Sequence, residues 1–219
     1  MTEAVIPLAD TKDMIGVHQV FRDAFGSAVA YIGSADSADT QRVELVGTYY
    51  DNVLAFLRVH HAGEDELLTP RLVDRCTPDE IAEVERVAAQ HHDVHDAIDH
   101  AQRALDEWRA APDLESATGA SIALASLGAA LTTHLDDEQE TVLPIAARYI
   151  TMPEWGELPA HGMQHFAGDK IWLIMGLIQE QMTPEQIAQM EMHMPPPVAE
   201  FWTRQGRPMY LSFVGELRS

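Results

Sequence analysis

Cysteine and positive charge are both scarce in this chain. Cys76 is the only cysteine in 219 residues, which excludes an intrachain disulfide framework and points to a reducing compartment. A lone thiol can act as a nucleophile, but a small residue near a helix end is the expected role here. Lys and Arg total 14 against 35 Asp and Glu, a net charge of −21. Such a surface repels phosphate backbones and anionic lipid, so neither nucleic acid nor membrane is expected as a partner. No apolar stretch is expected to span a membrane, and Met1 to Asp13 lacks a cationic segment followed by an apolar run. A cytoplasmic protein is expected. Strand signals are nearly absent as well. What remains is 46% apolar residues, enough for a packed core, arranged with helical periodicity.

Four long amphipathic helices are predicted. The first covers about 11–32, with Met14, His18, Phe21, Phe25 and Val29 on one stripe. A small polar loop follows at 33–39. The second covers about 41–72, with Tyr49, Val53, Phe56, His60, Glu64 and Leu67 on its stripe. Thr77-Pro78-Asp79-Glu80 reads as a capping box opening the third, which runs to about Trp108 and carries Val84, Val87, His91, Val94 and Ile98. The fourth covers about 114–149, with Leu124, Leu127, Leu131, His134, Glu138 and Val142 in line. Short links between long helices predict an all-α fold, an up-down antiparallel four-helix bundle. After Thr151 the composition shifts: eight of ten Met and three of four Trp lie there. Helical pieces at 154–165, 169–181, 184–193 and 198–217 are expected, as a C-terminal appendage (151–219) packed on the bundle (1–150). A lid or a dimer surface is conceivable there, so a homodimer is a candidate assembly; ordinary packing is the simpler expectation.

One pattern occurs twice. His60 and His134 are each followed by a Glu four residues on, Glu64 and Glu138, and then by a Pro six residues later, Pro70 and Pro144. Residues four apart lie on one helix face, so each stretch aims an imidazole and a carboxylate at one point. That is half of a transition-metal site. Seven ligand candidates follow: His18, His60, Glu64, His91, His95, His134 and Glu138. A single His on an apolar stripe is usually a hydrogen-bonded core residue. Four helices each carrying an inward His change that judgement, because unpartnered imidazoles in a core are costly. This donor set suits iron, manganese or zinc, and it is large enough for two ions sharing two carboxylates. His61 with Asp65 offers an alternative register. Aligning the two prolines places His60 over His134 and His61 over Leu135, so His61 ranks second, as a supporting residue. His95 depends on the rotation of the third helix. His161 and His165, four apart, are expected to be a surface or hydrogen-bonded pair.

Together these residues resemble the hemerythrin-like, or HHE cation-binding, family: His18 in the first helix, His60 and Glu64 in the second, His91 and His95 in the third, His134 and Glu138 with Pro144 in the fourth. The resemblance spans about residues 10–150. It implies a non-haem di-iron centre, two bridging carboxylates and an up-down bundle. The oxygen carriers of that family have an Asp five residues after the last His. Here Gln139 stands there and Glu138 lies one residue earlier, so the sequence is more similar to the broader bacterial branch.

The expected function is binding of O2 or a related small oxidant, with Phe21, Phe25, Val53, Phe56, Leu127 and Leu131 walling off water. One rival is an enzyme acting on H2O2 or a small substrate, for which Tyr49 or Tyr50 could donate a proton, although core packing is the expected role of both. The others are a sensor module and a structural zinc site.

Overall fold

The computed structural model describes residues 6–36 and 38–219. It is an all-α bundle. The first predicted helix forms as α1 (Lys12–Gly26) and α2 (Ala28–Gly33). They meet at Ser27, whose hydroxyl donates to the Asp23 carbonyl at 2.8 Å. Ala28 and Ile32 continue the inward stripe at steps of three and four, and Val29, expected on it, lies at its edge and is 61% exposed. The second helix is α3 (Thr40–Gly63), a π-turn over Glu64–Leu68, and α4 (Thr69–Arg75). The third is α5 (Pro78–Ala88) and α6 (Gln90–Ala110), opened by the expected capping box at Thr77 and Glu80. The fourth is α7 (Leu114–Asp137), a second π-turn over Glu138–Val142, and α8 (Leu143–Tyr149).

Both π-turns have one cause. Pro70 and Pro144 have no N–H to return to the carbonyl four residues back, and their rings clash with it. Each helix widens by one residue just before its proline, and the widened turn begins at Glu64 in one case and at Glu138 in the other. A third π-turn, Trp202–Gly206, precedes Pro208 in the same way.

Beyond residue 150 lie α9 (Met152–Trp155), α10 (Glu157–His165), α11 (Ile171–Glu180), α12 (Pro184–His193), α13 (Pro196–Phe201) and α14 (Arg207–Leu217). Thr183 and Gln186 cap α12 reciprocally, as the sequence predicts. Among the described residues, one antiparallel bridge joins Leu8 to Thr151.

Two apolar clusters flank the middle of the bundle. One runs from Phe21 and Phe25 through Tyr50, Leu54, Ile98, Trp108 and Leu127, and it includes Trp172, Leu173, Trp202, Tyr210 and Leu217 from beyond residue 150. The other joins Met14, Leu68, Leu72, Val84, Val87, Val142, Ile145 and Trp155. Each such side chain contributes roughly 1.5–3 kcal/mol on full burial. Contrary to the sequence expectation, one stretch does meet the length and composition of a membrane span. An 18-residue window of the helix 114–149 has a mean hydropathy of 1.3. The cause is an uncharged run of small residues from Ser116 to Thr133. The same helix buries Leu124, Leu127 and Leu131 in the bundle and brings His134 and Glu138 into it.

Candidate metal centre

Between the two apolar clusters the four helices turn polar side chains inward. His18 comes from α1, His60 and His61 from the last turn of α3, His91 from α6 and His134 from α7, with Glu64 and Glu138 opening the two π-turns. Their donor atoms fall into two groups. His61, Glu64, His91 and His134 can each offer one atom within 4.8 Å of the others, and so can His18, His60, Glu64 and Glu138. Glu64 is common to both. Its Oε1 lies 3.2 Å from His60 Nε2, and its Oε2 lies 3.4 Å from His91 Nε2. Glu138 Oε2 lies 3.2 Å from His18 Nε2 and 3.9 Å from His134 Nε2.

The placement of individual residues differs in detail from the sequence expectation. Six of the seven candidates, His18, His60, Glu64, His91, His134 and Glu138, belong to these groups. His95 belongs to neither. Its ring sits beside His61, centroids 5.7 Å apart, one turn further along α6 than His91. His61 takes the place in the first group, with its ring stacked on His91 at 4.3 Å. Consecutive residues on a helix point about 100° apart. Because α3 ends between its neighbours, His60 faces one group and His61 the other. Tyr49 and Tyr50 lie ten to twelve residues before His60 and His61, about 15–18 Å along α3. The Tyr50 hydroxyl donates to the Ala24 carbonyl at 3.0 Å, and both rings pack edge-on in an aromatic cluster.

Three imidazoles are held from behind. Asp65 Oδ1 lies 2.7 Å from His91 Nδ1 and Gln90 Oε1 lies 3.0 Å from His134 Nδ1, so in each the Nδ1–H can donate and free Nε2 for the centre. Gln90 is itself anchored, its amide donating to Asp137 at 2.7 Å, and Asp137 also accepts from Arg86 at 2.8 Å. The Gln139 amide lies 2.8 Å from His18 Nδ1. Gln139 therefore supports His18, while Glu138 faces the donor groups.

Burial dominates the electrostatics. It pushes His60 down to about 3, aided by His18, and His134 down to about 4. Burial and then His91 hold His61 well below its ordinary value. These rings are neutral at pH 7, with lone pairs available. Burial also lowers His91, but the hydrogen bond to Asp65 and the nearby Glu64 carboxylate outweigh it and raise that ring to about 10. Burial and the neighbouring Glu138 push the Glu64 carboxyl up. Burial acts on Glu138 in the same sense, yet His18 beside it holds that carboxyl low.

What the residues leave unsatisfied is decisive. Nε2 of His18, His60 and His134, both nitrogens of His61 and all four oxygens of Glu64 and Glu138 are buried without a hydrogen-bond partner. Each orphan costs about 1–3 kcal/mol unless something fills the space between them. A cation there would convert that penalty into ligand bonds, and nitrogen with carboxylate oxygen is a transition-metal donor set. The residues fit the group. The hemerythrin HHE cation binding domain matches residues 9–146 of the sequence.

The chain belongs to the hemerythrin HHE cation-binding family.

No curated protein and no solved structure gives a significant match. This hemerythrin-family chain is thus a cation-binding helical bundle whose His and Glu cluster is able to hold metal.

The walls of the centre came out only partly as expected. Phe21 and Phe56 pack against the His60 ring at centroid distances of 5.3 and 6.5 Å. Phe25, Val53, Leu127 and Leu131 lie in the same apolar cluster. On the carboxylate side is a small cavity of about 10 Å³, lined by Glu64, Glu138 and His91 together with Leu68, Val84, Val87 and Val142. Sequence reasoning did not assign these valines to the site, although Val84 and Val87 share the His91 stripe and pointed there.

Proposed function

We propose that this protein holds two iron ions, one in each donor group, and uses them on O2 or a related small oxidant such as H2O2. Glu64 carries the proposal. Its two oxygens face imidazoles of different groups, as a carboxylate bridging two cations requires. Bound there, iron would supply the electrons that reduce the oxidant. The chain's own residues do the rest. His60, His61 and His134 provide neutral donors, His18 and His91 complete the two groups, and Asp65, Gln90 and Gln139 fix the rings they touch. Phe21, Phe56 and the valine wall keep bulk water out. The cavity beside the carboxylates is on the order of one water in size, which suits a ligand of a few atoms and no organic substrate.

The test is metal analysis followed by optical spectroscopy. The purified protein, iron-loaded and reduced, should develop a new charge-transfer absorption when O2 or H2O2 is added. A protein with full iron loading and an unchanged spectrum with both oxidants would refute the proposal. Oxygen evolution from H2O2 that vanishes in His60→Ala would identify a peroxide-consuming enzyme over a carrier.

A further inference from the structure

A cavity of about 590 Å³ opens on the other side of α3. Ala62 and Glu66 line it, each two residues beyond a donor of the buried centre and so about 200° round the helix. Across the cavity α10 presents His161 and His165. We propose that His161, His165 and Glu66 form a second metal site, for a borderline divalent cation such as Zn²⁺ or Co²⁺, separate from the buried centre.

His161 Nε2 lies 3.1 Å from Glu66 Oε2. Two ligands at about 2.0–2.1 Å from a tetrahedral ion are about 3.3 Å apart, so the pair already spans one edge of such a site. His165 is one turn on from His161, and its ring centroid lies 4.5 Å away. The three donor atoms do not yet converge as they do in the buried centre; the exposed His165 ring would turn to bring a nitrogen to the His161–Glu66 pair, and the open cavity leaves the fourth position to water. The His161 side chain is only 9% exposed, a position held with little freedom. Gly63 leaves room beside the ring, since a Cβ there would stand a tight 3.3 Å from His161 Nδ1. Glu66 is 65% exposed, and an ion pair that open contributes little by itself. Simple pairing also leaves His165, an exposed ring held against His161, without a role. The net charge of −21 raises the local concentration of cations at such a surface.

The experiment is calorimetric titration of the full-length protein, its buried centre already loaded, with Zn²⁺, repeated with Co²⁺ to record the visible absorption of a tetrahedral ion. One additional ion per chain is expected. Its affinity should fall in His165→Ala by more than the roughly 10- to 100-fold that losing a mere supporting partner costs, and the binding should vanish in the double variant His161→Ala/His165→Ala. The exposed His165 makes the single variant a safe one for folding, to be checked by circular dichroism. Metal content of the buried centre, measured in the same samples, should not change. Absence of an additional ion, or an ion retained by the double variant, would overturn the proposal whatever the buried centre holds.

Discussion

Asp65 Oδ1 and His91 Nδ1 meet at 2.7 Å across the gap between the first π-turn and α6. The carboxylate is 42% exposed and fixes a ring that is 7% exposed. On sequence grounds Asp65 pairs with His61 on its own helix; the π-turn aims it at the neighbouring helix instead. Asp65→Asn keeps an oxygen that can accept from Nδ1–H but removes the charge. Metal affinity, read by chelator competition, is expected to fall about 10- to 100-fold with helix content unchanged. An unchanged affinity would rule out an orienting role.

His61 and His95 divide the centre's edge between them. His61 has both nitrogens buried without partners and lies within the first donor group; His95, whose Nε2 is likewise buried without a partner, stands outside it. His61→Ala should therefore lower the metal bound per chain, and His95→Ala should leave it near the wild-type value. Metal analysis after dialysis decides, and the opposite ranking would return His95 to the ligand set.

Val87 closes the small cavity beside Glu64 and Glu138. Val87→Phe should abolish the optical response to oxidant while metal content stays the same. Val87→Ala should admit larger anions, at a stability cost of about 1–2 kcal/mol for the lost methyls. Equal anion affinities in wild type and Val87→Ala would show that this wall does not select by size.

Pro70 and Pro144 impose the widened turns. With Ala at either place the helix can close into regular α geometry and rotate Glu64 or Glu138 away from its histidines. Weaker metal binding with equal or greater helicity is expected in each variant. Retained affinity in both would mean that packing, not proline, sets the π-turns.

Acid should loosen the metal-free protein. Burial holds His60 at about 3 and His134 at about 4, while both return to about 6.5 on unfolding. Below pH 6.5 the unfolded chain takes up protons that these folded rings refuse, so stability is lost as pH falls toward 4. His91, raised to about 10, acts in the opposite sense: its contribution is complete below pH 6.5 and fades as pH climbs toward 10. The melting temperature of chelated protein should thus pass through a maximum near pH 6.5. A profile flat from pH 5 to 9 would contradict the burial of these rings.

The bundle was legible in the sequence because each helix repeats apolar residues at steps of three and four and the links are short. Six inward donors were legible for the same reason, since His18, His60, His91 and His134 interrupt apolar stripes. The place of His61 was not. Aligning Pro70 with Pro144 treats the two motifs as equivalent, but α3 ends between both donor groups while α7 presents Leu135 at the corresponding position. The break between α1 and α2 at Ser27 was equally hidden, because the apolar steps of three and four continue across it. The partner of Asp65 depends on the direction of a π-turn, which residue spacing on a regular helix misassigns.

Trp172, Trp202, Tyr210 and Leu217 sit in the same apolar cluster as Phe21, Tyr50 and Ile98. Neither side of residue 150 can therefore shed water from its own surface unaided. Heating should melt the chain in one calorimetric peak, and a protease cut near Ile150 should leave two fragments that stay associated until both lose their shape together.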